Sequence, residues 1–141
     1  MTGRGLARWI GYGEWESYTE SEGLQDETVW QVLHDKRGGL WVSTQDGLYR
    51  GVSRKGIYSF RHVPGVEKVD IPALAVEEDG SVWAGIRGVG LVRVDVATGQ
   101  VVRVAVPQLA GGKSVNPATV MRIDIDPAGR VWFASSSRPG L

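Results

Sequence analysis

An all-β fold assembled from repeated four-stranded units is what this sequence predicts, and three observations predict it. Trp41, Trp83 and Trp132 recur at intervals of 42 and 49 residues. Each closes the same local pattern: an acid, two variable residues, Gly, one variable residue, Leu or Val, then Trp. The three copies are Asp35-Lys36-Arg37-Gly38-Gly39-Leu40-Trp41, Glu77-Glu78-Asp79-Gly80-Ser81-Val82-Trp83 and Asp126-Pro127-Ala128-Gly129-Arg130-Val131-Trp132. Finally, 20 glycines and 6 tryptophans in 141 residues, with little helical periodicity, fit short strands joined by tight turns. Period and pattern together are those of β-propeller blades.

The repeated motif has a direct reading as a β-hairpin. The acids Asp35, Glu77 and Asp126 are placed to accept hydrogen bonds from backbone N–H groups of the turn. The glycines Gly38, Gly80 and Gly129 supply the positive φ at its end. The tryptophans then sit on the returning strand, large enough to fill the gap between neighbouring twisted sheets. All nine residues are expected to be structural. One acid per blade, at successive turns, does not converge into a catalytic carboxylate pair.

A second motif follows each Trp: a glycine turn entering an alternating strand, at Asp46-Gly47-Leu48-Tyr49-Arg50 and Gly88-Val89-Gly90-Leu91-Val92-Arg93. It occurs again at Gly3-Arg4-Gly5-Leu6-Ala7-Arg8-Trp9, so the chain is expected to open at the third strand of a blade. First strands are expected at 29–35, 72–77 and 120–126, and second strands at 40–44, 82–86 and 131–135. Third strands follow at 5–10, 48–52 and 91–96, and fourth strands at 14–19, 57–63 and 100–106. This divides the chain into the end of a blade (1–19), two blades (20–63 and 64–106) and the start of another (107–141). About three blades are too few to close a ring of the usual four to eight. The expectation is an incomplete propeller from a longer chain, which would need the remaining blades or self-association to cover its open faces.

Composition narrows the function. Sixteen basic and 16 acidic residues balance, giving no electrostatic reason to expect nucleic acid or an anionic membrane. There is no cysteine for a disulfide or thiolate metal site, and His34 and His62 are the only histidines. No apolar run approaches the length of a membrane span, and no cofactor motif stands out. Gly111-Gly112-Lys113-Ser114 has the glycines of a phosphate loop without its four-residue spacer or a following helix.

The segment Trp15-Glu16-Ser17-Tyr18-Thr19-Glu20-Ser21-Glu22-Gly23-Leu24 resembles the W-x-x-Y-T-x-x-x-G-L lead-in of the two-component regulator propeller repeat. The likeness runs on through Thr28-Val29-Trp30 and Gly38-Gly39-Leu40-Trp41-Val42-Ser43-Thr44 to Gly47-Leu48-Tyr49-Arg50. The second and third copies lack the lead-in. The resemblance implies a sensor module of a bacterial hybrid histidine kinase or membrane-bound diguanylate cyclase, periplasmic or extracellular, with output activity outside this chain. Residues 125–134 also look like repeats of streptogramin lyases, and the same hairpin is distantly similar to the Asp-box of sialidases. A propeller enzyme of lyase or glycosidase type is therefore one alternative, and a protein-interaction scaffold another. Fold alone does not choose among them.

Function in such folds lies in loops held by the blades. Loops joining second to third strands share one face with those joining fourth to first. That face is expected to carry Gln45, Asp46, Lys68, Asp70, Arg87 and Arg138, with Lys113 and Asn116 on the 108–117 insertion. Asp124 aligns with Leu33 and Ala75 on a first strand and is expected to line the central channel. These nine are the candidate ligand-binding residues, for a small molecule or glycan, with the cations suited to an anionic one. No catalytic or metal-binding residue is assigned. His34, aligned with Val76 and Ile125, is expected to be a hydrogen-bonded core residue, and His62 a solvated one on an outer strand.

Overall fold

The computed structural model describes residues 5–24, 28–104 and 120–135. They form twelve strands in four antiparallel sheets. β1 (Leu6–Gly11) pairs with β2 (Glu14–Tyr18). The second sheet runs in chain order through β3 (Val29–His34), β4 (Gly39–Thr44), β5 (Gly47–Arg54) and β6 (Ile57–His62). The third repeats it with β7 (Ala73–Val76), β8 (Val82–Ile86), β9 (Gly90–Val94) and β10 (Val101–Val104). The fourth sheet is β11 (Val120–Ile125) with β12 (Val131–Ser135). These are propeller blades as the repeat predicts, and they do not close a ring.

The hairpin motif behaves as its residues dictate in the first and third copies; in the second the turn N–H of Ser81 goes to Asp79 Oδ1 at 2.8 Å and not to Glu77, whose carboxylate is turned to Arg93 and Trp83. Asp35 Oδ1 accepts the backbone N–H of Arg37 and of Gly39, at 2.9 and 2.8 Å. Asp126 repeats this with Ala128 and Arg130, at 3.0 and 2.9 Å. Gly38, Gly80 and Gly129 all take positive φ, between 81° and 93°. A further contact was not foreseen: the repeat Trp donates its indole N–H to the repeat acid. The distances are 3.1 Å to Asp35, 2.5 Å to Glu77 and 3.0 Å to Asp126. In the first and third copies one carboxylate therefore ties the turn to the repeat ring.

The core lies between sheets. Trp41, Leu48, Leu74, Val82, Val92 and their neighbours join the second sheet to the third. Tyr18, Leu24, Leu40, Val42, Tyr49 and Phe60 join the first to the second. Ala73, Ala75, Leu91, Val120 and Ile123 join the third to the fourth, with Trp83 packed against them. Trp41 is 2% exposed, Trp83 is half-buried and Trp132 is 61% exposed. Inter-sheet packing thus holds for the first two and not for Trp132, because no further sheet among the described residues covers its face.

The Tyr-Thr…Gly-Leu lead-in forms a 3-10 turn at Glu20–Glu22, where strands and loops alone were expected. Thr19 N–H donates to the Glu22 carboxylate at 2.6 Å, satisfying a donor the turn leaves over. Gly23 closes the turn at φ 92°, and a Cβ there would stand 2.1 Å from the Phe60 carbonyl oxygen. Leu24 then enters the core at 1% exposure beside Tyr18.

Candidate functional site

β3 and β11 each carry a bulge at the same place. Val29 faces Thr44 and Gln31 faces Ser43, leaving Trp30 without a partner opposite; Met121 stands likewise between Val120 and Arg122. A bulge re-aims a side chain out of the sheet's alternation. In β11 it leaves Met121 and Arg122 both exposed, whereas β3 keeps its alternation: Trp30, at the loop end of its first strand, is 50% exposed in step with Val32 and His34. In the third sheet's repeat the matching position is Pro72, just before β7.

Trp30 meets two of the residues expected on the loop face. Its indole N–H donates to Asp70 Oδ1 at 2.6 Å, and Arg87 Nε donates to Asp70 Oδ2 at 2.6 Å. Arg87 N–H also bonds the Asp70 carbonyl at 2.9 Å. The Asp70 side chain is 16% exposed and that of Arg87 55%. A mostly covered carboxylate thus fixes the edge of an exposed indole and one side of an exposed guanidinium, and the ring face and the terminal guanidinium nitrogens are left for a ligand. Arg87 and Asp70 join the β8–β9 turn to the segment before β7. The backbone holds them in register: Ile71 N–H donates to the Thr44 carbonyl at 3.0 Å, and Leu74 N–H to Gln31 Oε1 at 2.7 Å.

Gln45, Asp46 and Lys68 lie on the same face but apart from this cluster. Gln45 is exposed in the β4–β5 turn, its N–H bonded to the Thr28 carbonyl at 3.1 Å. Asp46 is half-buried and its N–H bonds Thr44 Oγ1 at 3.0 Å. Asp46 and exposed Lys68 flank His62, which is half-buried rather than solvated, because the start of the 63–72 loop folds over the end of β6. Its ring stands edge-on to Tyr49 at 5.5 Å. Burial first, then the Lys68 charge, pushes the His62 pKa below its ordinary value, with Asp46 opposing.

Asp124 is exposed on β11. It lines a cavity of about 400 Å³ between β3, β7 and β11, together with His34 and Arg122. His34 is exposed there and not a core residue, because it falls on the exposed face of β3 with Trp30 and Val32. Lys113, Asn116 and Arg138 lie outside the described residues. Of the residues expected on the loop face, Asp70 and Arg87 come together, joined to Trp30, which the sequence did not single out. Its signal was its place in the strand's alternation, in step with Val32 and His34.

Blade order, sheet topology and inter-sheet packing define this chain as a segment of a β-propeller. Residues 23–46 match the family model described as two component regulator propeller. No curated protein matches the chain. Among solved structures, it is similar to the extracellular domain of a protein named as a hybrid two component system from B. thetaiotaomicron, at 20% identity and TM-score 0.69, over 94% of this chain and 18% of that one. A B. thetaiotaomicron extracellular domain named as belonging to a one component system aligns at 15% identity and TM-score 0.48, over 94% of this chain and 24% of that one. Another from a hybrid two component system aligns at 16% identity and TM-score 0.42, over 95% and 23%. The chain spans about a fifth of the length of these structures.

Proposed function

We propose that this chain is part of the extracellular or periplasmic sensor of a bacterial two-component or cyclic-dinucleotide signalling protein. It binds a small molecule or glycan on the loop face, and kinase or cyclase output belongs to other parts of the protein. Its role is binding and not catalysis. The observation that carries this reading is the Trp30–Asp70–Arg87 cluster, set on the loop face of a propeller segment. An exposed indole fixed at its edge offers a flat apolar platform to a sugar or other ring, and Arg87 offers N–H donors to its hydroxyl or acidic groups. Both are held in place before ligand arrives, which lowers the ordering cost of binding. The fold and the family-model match at residues 23–46 support the signalling context.

The test is calorimetric titration of the chain with neutral and acidic oligosaccharides. Saturable binding that weakens by about tenfold or more in Trp30→Ala and in Arg87→Gln is expected. Absence of heat with every saccharide, or affinity indifferent to both changes, would overturn the reading.

A further inference from the structure

A groove of about 700 Å³ lies between the outer strands of the second sheet and the β9–β10 turn of the third, and Arg50, Arg54 and Arg61 line it. Arg50 and Arg61 stand directly opposite each other in the β5–β6 ladder. Like charges in that position repel, so the arrangement needs a counter-charge. The described residues supply little. Asp35 Oδ2 lies 3.5 Å from Arg50, but this buried carboxylate already accepts Arg37 N–H, Gly39 N–H and the Trp41 indole. Arg54 and Arg61 are exposed, and among the described residues no carboxylate forms an ion pair with either. Asp95 stands on the opposite wall, where it accepts Ala97 and Thr98 N–H and faces Arg93 at 3.7 Å.

The next blade is an internal control. Arg93 holds the place of Arg50, each opposite its repeat Trp. Arg93 is saturated: both Glu77 oxygens bind it, at 3.2 and 2.6 Å, with Asp79 at 3.6 Å and Asp95 at 3.7 Å. In the second sheet every one of these acids has changed. Glu77 is matched by the shorter Asp35, Asp79 by Arg37 and Asp95 by Val52, while Val102, opposite Arg93, is matched by Arg61. One blade encloses its arginine in carboxylates; the other adds cations and removes acids around the same position.

We infer that the Arg50–Arg54–Arg61 groove is an anion-binding site, separate from the loop face, for an organic molecule bearing a sulfate, phosphate or carboxylate head. Arg54 and Arg61 supply exposed guanidinium forks that match such oxyanions. Arg50 is held over the Trp41 ring at 5.2 Å as the inner anchor. Val52 and Val63 on one side and Val94 and Val96 on the other give the groove an apolar floor for the rest of the molecule.

The experiment is an amide NMR titration of the chain with benzenesulfonate, and separately with inorganic sulfate, at constant ionic strength. Saturable shifts at residues 50–64 and 94–99 are expected, with sulfate the weaker binder. Arg54→Gln and Arg61→Gln, both exposed, should each weaken benzenesulfonate by about tenfold. Arg130→Gln, a surface control on the fourth sheet, should leave it unchanged. Non-saturating shifts, sulfate binding as tightly as benzenesulfonate, or equal weakening by the Arg130 control would overturn the assignment. Failure of the loop-face reading would leave it standing.

Discussion

At the scale of single residues, two positions show how little room the chain leaves. Gly23 combines a left-handed backbone with a Cβ position occupied by the Phe60 carbonyl oxygen. Gly23→Ala is expected to destabilise the fold by about 2 kcal/mol or more, read as a lower urea midpoint. His62 is the second. Its folded pKa is depressed, so the neutral form is favoured on folding. Below the ordinary histidine value of about 6.5 the unfolded chain takes up a proton that the folded one resists. The stability it contributes is present above that value and lost as pH falls through the folded pKa. The urea midpoint should therefore drop between about pH 7 and pH 5, and His62→Gln should flatten that slope; an equal slope in both proteins would count against it.

At the scale of the element, the hairpin carries the argument. Glu77 is held below the ordinary carboxylate range, chiefly by its hydrogen bond from Arg93 and next by that from Trp83. Its contribution is present above about pH 4.5 and fades as pH falls further, separating it from His62. Glu77→Gln should cost about 1–3 kcal/mol at neutral pH by denaturant titration. Much of this element was legible in the sequence. An acid, a glycine and a tryptophan at fixed offsets need no tertiary information to specify a turn, a positive φ and a filler. What sequence could not supply were consequences of neighbouring sheets. Trp30 shares its strand face with Val32 and His34, and its exposure depends on which neighbouring sheet covers that face. The covering of His62 depends on where the 63–72 loop lies, and its sequence carries no periodicity from which to place it. Asp70 and Arg87 were found as members of one face, whereas their shared hydrogen bonds came from the register between two blades.

At the scale of the whole molecule, each sheet's stability depends on the next. Trp41→Ala removes a ring buried between two sheets and should cost about 3–5 kcal/mol. Trp132→Ala, at the same repeat position, should cost less than about 1 kcal/mol. Near-equal losses in denaturant titration would show that the inter-sheet account of these rings is wrong. The exposed Trp132 and Met121 also make the isolated chain prone to associate. Its light-scattering mass should rise with concentration, and Trp132→Glu should suppress the rise.

The repeat acid has a reach that differs by one methylene between successive blades. Glu77 binds the arginine of its own blade through both oxygens; Asp35 reaches its arginine through one, at 3.5 Å. The hairpin accommodates both lengths because Asp79 takes the turn N–H that Asp35 takes in the blade before. A chain of repeated blades can then gain or lose a charged pocket by a few exchanges around one arginine, at positions outside the inter-sheet core. Each blade becomes a separate address at which new recognition can arise while its neighbours keep the fold.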